Sequence, residues 1–91
     1  MNTRIKNSFW SNLKKITDPT VKAEIKGIIS TVQQAATTND IPEMRKLKGC
    51  KKGISYRIKV GNSYRIGVTI EGGLVTFVIF MHRKDIYRHF P

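Results

Sequence analysis

From Tyr56 to Ile70 the chain alternates in a way that few folds can use. Tyr56, Ile58 and Val60 fall on one side of an extended chain, and Arg57 and Lys59 on the other. Gly61-Asn62-Ser63 then breaks the pattern, and Tyr64, Ile66, Val68 and Ile70 resume it against Arg65, Gly67 and Thr69. A period of two on both sides of a short Gly-containing break predicts an antiparallel hairpin with one buried face. If the three-residue turn pairs Val60 with Tyr64, Lys59 stands opposite Arg65 and Arg57 opposite Gly67. Like charges directly opposite each other destabilise a sheet. A chain that keeps them there has a use for them.

A third strand follows. Gly72-Gly73 suits a two-residue hairpin turn. That register sends Val75, Phe77, Ile79 and Met81 to the core side, and Thr76, Val78, Phe80 and His82 to the face of Arg65. A three-residue turn would move His82 to the core side instead. The run Leu74–Met81 is apolar on both sides, so the strand is expected to be central and covered on both faces.

Before the hairpin the period is helical. Phe9, Leu13 and Ile16 are spaced for one helix face, with Ser8 as N-cap and Trp10 read as part of the helical core. Asp18-Pro19 restarts the pattern, as an N-cap followed by proline in the first turn. Val21, Ile25, Ile28, Ile29, Val32 and Ala36 form the apolar stripe of a second helix, antiparallel to the first. Residues 43–53 (EMRKLKGCKKG) show no period and read as a basic loop. Residues 2–7 are either an edge strand or flexible, and residues 83–91 carry helical spacing at most.

Together these predict an α+β class: an N-terminal helix hairpin on one face of a three-stranded antiparallel meander, with a short C-terminal segment. The length of 91 residues fits a single domain spanning 1–91.

Charge narrows the function. Seventeen Lys and Arg against six Asp and Glu give +11. Of these, eleven basic and three acidic residues lie from Glu43 onward, so the excess travels with the strands. Such a field favours a polyanion. One cysteine, Cys50, excludes an internal disulfide and a cysteine-rich metal site. No apolar run is long enough to span a bilayer, and no leader pattern is seen in MNTRIKNSFW, which predicts a cytoplasmic location and no membrane partner. Phosphate-loop, HExxH and nucleophile motifs are absent, and so are paired carboxylates near the strands. No metal and no cofactor is expected.

Leu47-Lys48-Gly49, YRIKVGNSYRIGV and FVIFMHRKDIYRHFP resemble the RelE/ParE superfamily of toxins from type II toxin–antitoxin systems. The specific motifs cover residues 44–91, and the element order covers the whole chain. The resemblance implies one of two activities. RelE-like members are metal-independent, ribosome-dependent endoribonucleases that cut mRNA and so inhibit translation; ParE-like members inhibit DNA gyrase without nuclease activity. It also implies a cognate antitoxin, small and with an acidic or amphipathic segment, besides the ribosome and mRNA as partners. By the resemblance, Arg65, Lys59, Arg83 and Tyr87 match the family's functional arginines, lysine and tyrosine. Arg65 suits phosphate stabilisation. Lys59 suits a base, since flanking cations disfavour its charged form. Arg57 stands where RelE itself has lysine; it can bind phosphate but cannot serve as base. His82 is a further acid or base, Arg83 braces the phosphate, and Tyr87 stacks on a base or orients the 2′-OH. Lys46, Lys48, Lys51 and Lys52 read as contacts to RNA or antitoxin.

Overall fold

The computed structural model describes residues 1–50 and 53–90, with the side chains of 48–50 left aside. The order of elements is β1 (Asn2–Ile5), α1 (Asn7–Lys14), α2 (Pro19–Gln34), a 3-10 turn (Thr38–Asp40), β2 (Met44–Cys50), β3 (Gly53–Val60), β4 (Tyr64–Glu71), β5 (Leu74–His82) and α3 (Arg83–His89). The five strands form one sheet in the order β1-β5-β4-β3-β2, antiparallel except for β1, which runs parallel to β5.

The meander is β3-β4-β5, and its first hairpin has the expected register. Val60 pairs with Tyr64, Lys59 with Arg65 and Arg57 with Gly67. The second hairpin turns through Gly72 and Gly73 with φ of 55° and 81°, the left-handed pair that a two-residue turn with right-handed strand twist requires. Pairing then follows expectation from Glu71↔Leu74 to Val68↔Phe77.

There it departs. Gly67 pairs with Ile79, so Val78 is an extra residue and β5 bulges. Beyond the bulge the sides exchange: Phe80 lies opposite Ile66 and His82 opposite Tyr64, on the helix side, while Ile79 and Met81 join Gly67 and Arg65. The backbone around the bulge is held from outside the sheet. β1 stops at Ile5 and the Lys6 N–H closes on Phe77 O at 3.0 Å. Two side chains of α1 then continue the edge: Ser8 Oγ donates to Val78 O, and Asn12 Oδ1 accepts from Phe80 N at 3.1 Å. Ser8 is therefore an edge cover inside α1 and not its cap, which is Lys6. Unpaired strand edges are otherwise open to pairing with other chains.

Residues 43–53, expected to be loop, contain the edge strand β2 instead. Its register slips between Lys46 and Gly49, which removes any period of two from the sequence. Lysine on an edge strand is common, because one side of the strand is solvent.

The helix face of the sheet holds the main core: Phe9, Ile25 and Val32 from the helices against Ile58, Val60, Ile66, Val68, Val75, Phe77 and Phe80. Phe9 meets Phe77 and Phe80 with ring centroids 5.6 and 6.4 Å apart in tilted geometry, an arrangement worth ~0.5–1.5 kcal/mol per pair beyond burial. Asp18 caps α2 as expected, its carboxylate accepting from Thr20 N at 2.9 Å. Trp10 is not core. It is 46% exposed, because Phe9 and Leu13 already supply the face of a two-turn helix. Among the described residues no helix is long and apolar enough to cross a membrane.

Candidate active site on the cationic face

The opposite face of the sheet carries Arg57, Lys59, Arg65 and Gly67, as alternation requires. β2 adds to it. Arg45 pairs directly with Arg57, so three adjacent strands present cations on one surface. The residues close an open pocket of about 320 Å³ lined by Glu43, Met44, Arg45, Arg57, Lys59, Arg65 and Tyr87.

Each wall has a local cause. Arg65 is turned back onto the hairpin, its guanidinium donating to Tyr64 O at 2.7 Å and Asn62 O at 3.3 Å. This fixes one side of the fork and leaves other donors free. Lys59 is held by its backbone, whose N–H bonds to Glu43 O at 3.0 Å; the side chain is exposed. Glu43 has φ of 58°, the one left-handed non-glycine residue described. Such backbone costs about 1–3 kcal/mol and survives where the surroundings impose it. Here it ends the loop after Pro42 and turns the chain into β2 beside Lys59.

Tyr87 arrives from α3, which packs across this face. Its ring is 62% exposed and lies under the Arg57 guanidinium, Cζ to centroid 4.4 Å, a cation–π contact. The sequence hints only at helical spacing for the tail; the structure makes it a seven-residue helix capped by His82, whose Nδ1 accepts from Lys84 N at 3.1 Å.

Of the residues singled out in the sequence, Arg57, Lys59, Arg65 and Tyr87 come together. His82 does not: the bulge turns it to the helix side, where it meets Tyr64 edge-on at 5.9 Å and lines a separate groove with Asn12, Lys15, Asp85 and His89. Arg83 is absent from the pocket lining; its backbone N–H bonds Ser63 O at 2.8 Å and its side chain is exposed. Lys46 pairs with Tyr56 and so lies on the helix side of the edge strand. Lys51 and Lys52, and the side chain of Lys48, lie outside the described residues.

Two charged pocket residues were missed, Arg45 and Glu43, along with Met44 between them. Arg45 was hidden because β2 had no readable period. For Glu43 the Pro42-Glu43 break was the only signal, and it reads as a turn. Among the described residues no three His, Cys, Asp or Glu are placed to hold a metal ion.

No family model matches the chain. It is 40% identical over 72 residues to the toxin RelE3 of Methanocaldococcus jannaschii, covering 78% of each chain. Its fold is similar to that in the crystal structure of a RelB–RelE antitoxin–toxin complex from Methanococcus jannaschii, with TM-score 0.76 and 34% identity over 97% of this chain and 99% of that one. It is also similar to an archaeal RelE–RelB complex from Pyrococcus horikoshii, with TM-score 0.74 and 13% identity over 92% and 96% of the chains, a likeness of fold alone.

Proposed function

Since the chain belongs to the RelE family of toxins from toxin–antitoxin systems, we propose that it is a metal-independent endoribonuclease that cuts mRNA on the ribosome and so inhibits translation in the cytoplasm. The observation that carries this reading is the convergence of Arg45, Arg57, Lys59 and Arg65 with Glu43 and Tyr87 on one pocket. A phosphodiester broken by its own 2′-OH needs a proton acceptor, cations for the growing phosphorane charge, and a proton donor for the leaving 5′-oxygen. The pocket has all three chemistries in side chains. Glu43 takes the 2′-OH proton as the O2′–P bond forms. Arg45, Arg57 and Arg65 hold the phosphorane oxygens, with Arg65 pre-set by its bonds to the turn. The Lys59 ammonium gives its proton to O5′ as the P–O5′ bond breaks, leaving a 2′,3′-cyclic phosphate and a 5′-OH. Tyr87 offers a ring face for a base or a hydroxyl for the 2′-OH. In this scheme Lys59 is acid and not base, and His82 and Arg83 have no part in the proton transfers.

The gyrase-inhibitor reading is not favoured, since the relatives named above are RelE toxins. Two of the similar structures are complexes of RelE with RelB, which supports an antitoxin as partner of this chain as well. A segment with acidic residues would meet the cationic face on charge grounds alone. Lys46, Lys48, Lys51 and Lys52 belong to the same proposal, as contacts to ribosomal RNA or antitoxin outside the reacting pocket.

The test is reconstituted translation with purified protein and mapping of mRNA 5′ ends. Cuts inside codons that need ribosomes are expected, and Arg65→Ala should slow them by ~10²-fold or more while the protein stays folded. Intact mRNA on active ribosomes, or full cutting by a folded Arg65→Ala protein, would overturn the reading.

A further inference from the structure

Gly67 sits mid-strand in β4 with no left-handed backbone to require it. Glycine in a strand interior weakens the strand. What the position does require is space. A Cβ there would stand 2.8 Å from the Phe90 ring and 2.8 Å from Ile79 Cγ2. Phe90 fills the gap, only 8% exposed, just after the end of α3. Ile86, one turn earlier on the same helix face, is fully buried. Ile86 and Phe90 therefore fix both the height and the rotation of α3 on the sheet. The residue between these anchors that points sideways is Tyr87, and it falls on Arg57. Arg57 is the cross-strand partner of Gly67 itself. The seat of Phe90 and the partner of Tyr87 are thus two neighbours on adjacent strands.

We propose that Phe90, seated in the gap above Gly67, is the positioning residue that holds Tyr87 against Arg57 and completes the pocket. α3 has only seven residues, too short to be stable by itself. Its start is tied by the His82 cap and by Arg83 N to Ser63 O. Its far end is tied by Phe90. Without that tie the helix pivots about Ile86, and Tyr87 leaves the guanidinium while every cation of the pocket stays where it is. The prediction is separable: turnover suffers and the charge that gathers RNA does not.

The inference rests on the cleavage reading for its kinetic arm only. Its structural arm is NMR of the free protein, following the ring-current shift that Tyr87 imposes on the Arg57 side-chain protons. Gly67→Ala and Phe90→Ala are each expected to abolish that shift while the core methyl signals of Ile25, Ile66 and Val68 remain dispersed. Phe90→Leu, which refills the gap, is expected to restore most of it. On ribosomes, Phe90→Ala should lower kcat by ~10²-fold, the cost of ångström-scale misplacement of a group that orients the substrate, with the half-saturating ribosome concentration unchanged. In a Tyr87→Ala background Phe90→Ala should add nothing. An unchanged Arg57 shift in folded Phe90→Ala overturns the proposal whatever the activity. So does a kinetic loss that adds fully to that of Tyr87→Ala. If the wild-type protein cuts no mRNA, the cleavage reading fails and the NMR arm still decides the positioning role. Phe90→Ala introduces no clash, so it answers the question even if Gly67→Ala does not fold.

Discussion

Lys59→Gln should make the protein more stable and less active, and the structure gives the size of the first effect. The Lys59 N–H bonds Glu43 O on the β2 side. Its pairing with Arg65 on the β4 side is therefore of the non-hydrogen-bonded kind, the one that brings side chains closest. Arg65 cannot swing away without losing its bonds to Tyr64 O and Asn62 O. The repulsion is left to Lys59 to relieve. Two unit charges ~6 Å apart in water repel by about 0.7 kcal/mol, and Arg57, two residues back on the same face, adds about 0.6 kcal/mol. Screening at physiological salt removes roughly half. Glu43 lines the same pocket and offsets some of the rest. A gain of about 0.6 kcal/mol is the upper bound at physiological salt, roughly 3 °C in Tm for a chain of this size, and about twice that at low salt. The assay is thermal unfolding of wild type and Lys59→Gln at low salt and at 1 M NaCl, where the screening length falls to ~3 Å and the gain should vanish. A lower Tm for the variant at low salt, or a gain that survives 1 M NaCl, would refute the argument. The same variant should cut mRNA ~10²-fold more slowly, through loss of the proposed proton donor.

Two further outcomes follow from the bulge. Asn12→Ala leaves the Phe80 N–H at the sheet edge without its partner and should cost about 1–3 kcal/mol in urea unfolding, with mRNA cutting by the folded fraction unchanged. His82→Asn keeps a cap for α3 and removes the imidazole; cutting at near wild-type rate is expected, whereas a ~10²–10⁴-fold loss would return His82 to the chemistry.

The centre of this molecule was legible because two signals agreed there. Alternation fixed which residues share a face, and turn length fixed which residues stand opposite, so Lys59–Arg65 and Arg57–Gly67 could be read without coordinates. Asp18-Pro19 was legible for a similar reason, since cap and proline specify the same helix start. Trp10 misled because period alone does not say how wide a buried stripe is; a helix of eight residues is covered along Phe9 and Leu13, and the next residue round is already wet. β2 was hidden by its slipped register and by cations that look like loop. With it went Arg45, which only strand pairing brings beside Arg57, and Glu43, whose place depends on a left-handed turn that no residue type announces.

His82 was lost to a different cause, and the same irregularity builds the site. One extra residue in β5 reverses every side chain after Phe77. Phe80 then faces inward, against Phe9 and stacked on Tyr64 at 5.1 Å, so the core extends to the end of the sheet. Ile79 faces outward beside Gly67, where it walls the gap that receives Phe90. Without the bulge, Ile79 would point into the helix layer, Val78 would stand opposite Gly67 and Phe80 opposite Arg65, and the gap that Ile79 now walls for Phe90 would not form. His82 leaves the cationic face as a consequence, and in exchange its imidazole caps the helix that brings Tyr87 to Arg57. The residue that reads in sequence as a second acid or base thus reaches the pocket only through the helix it starts.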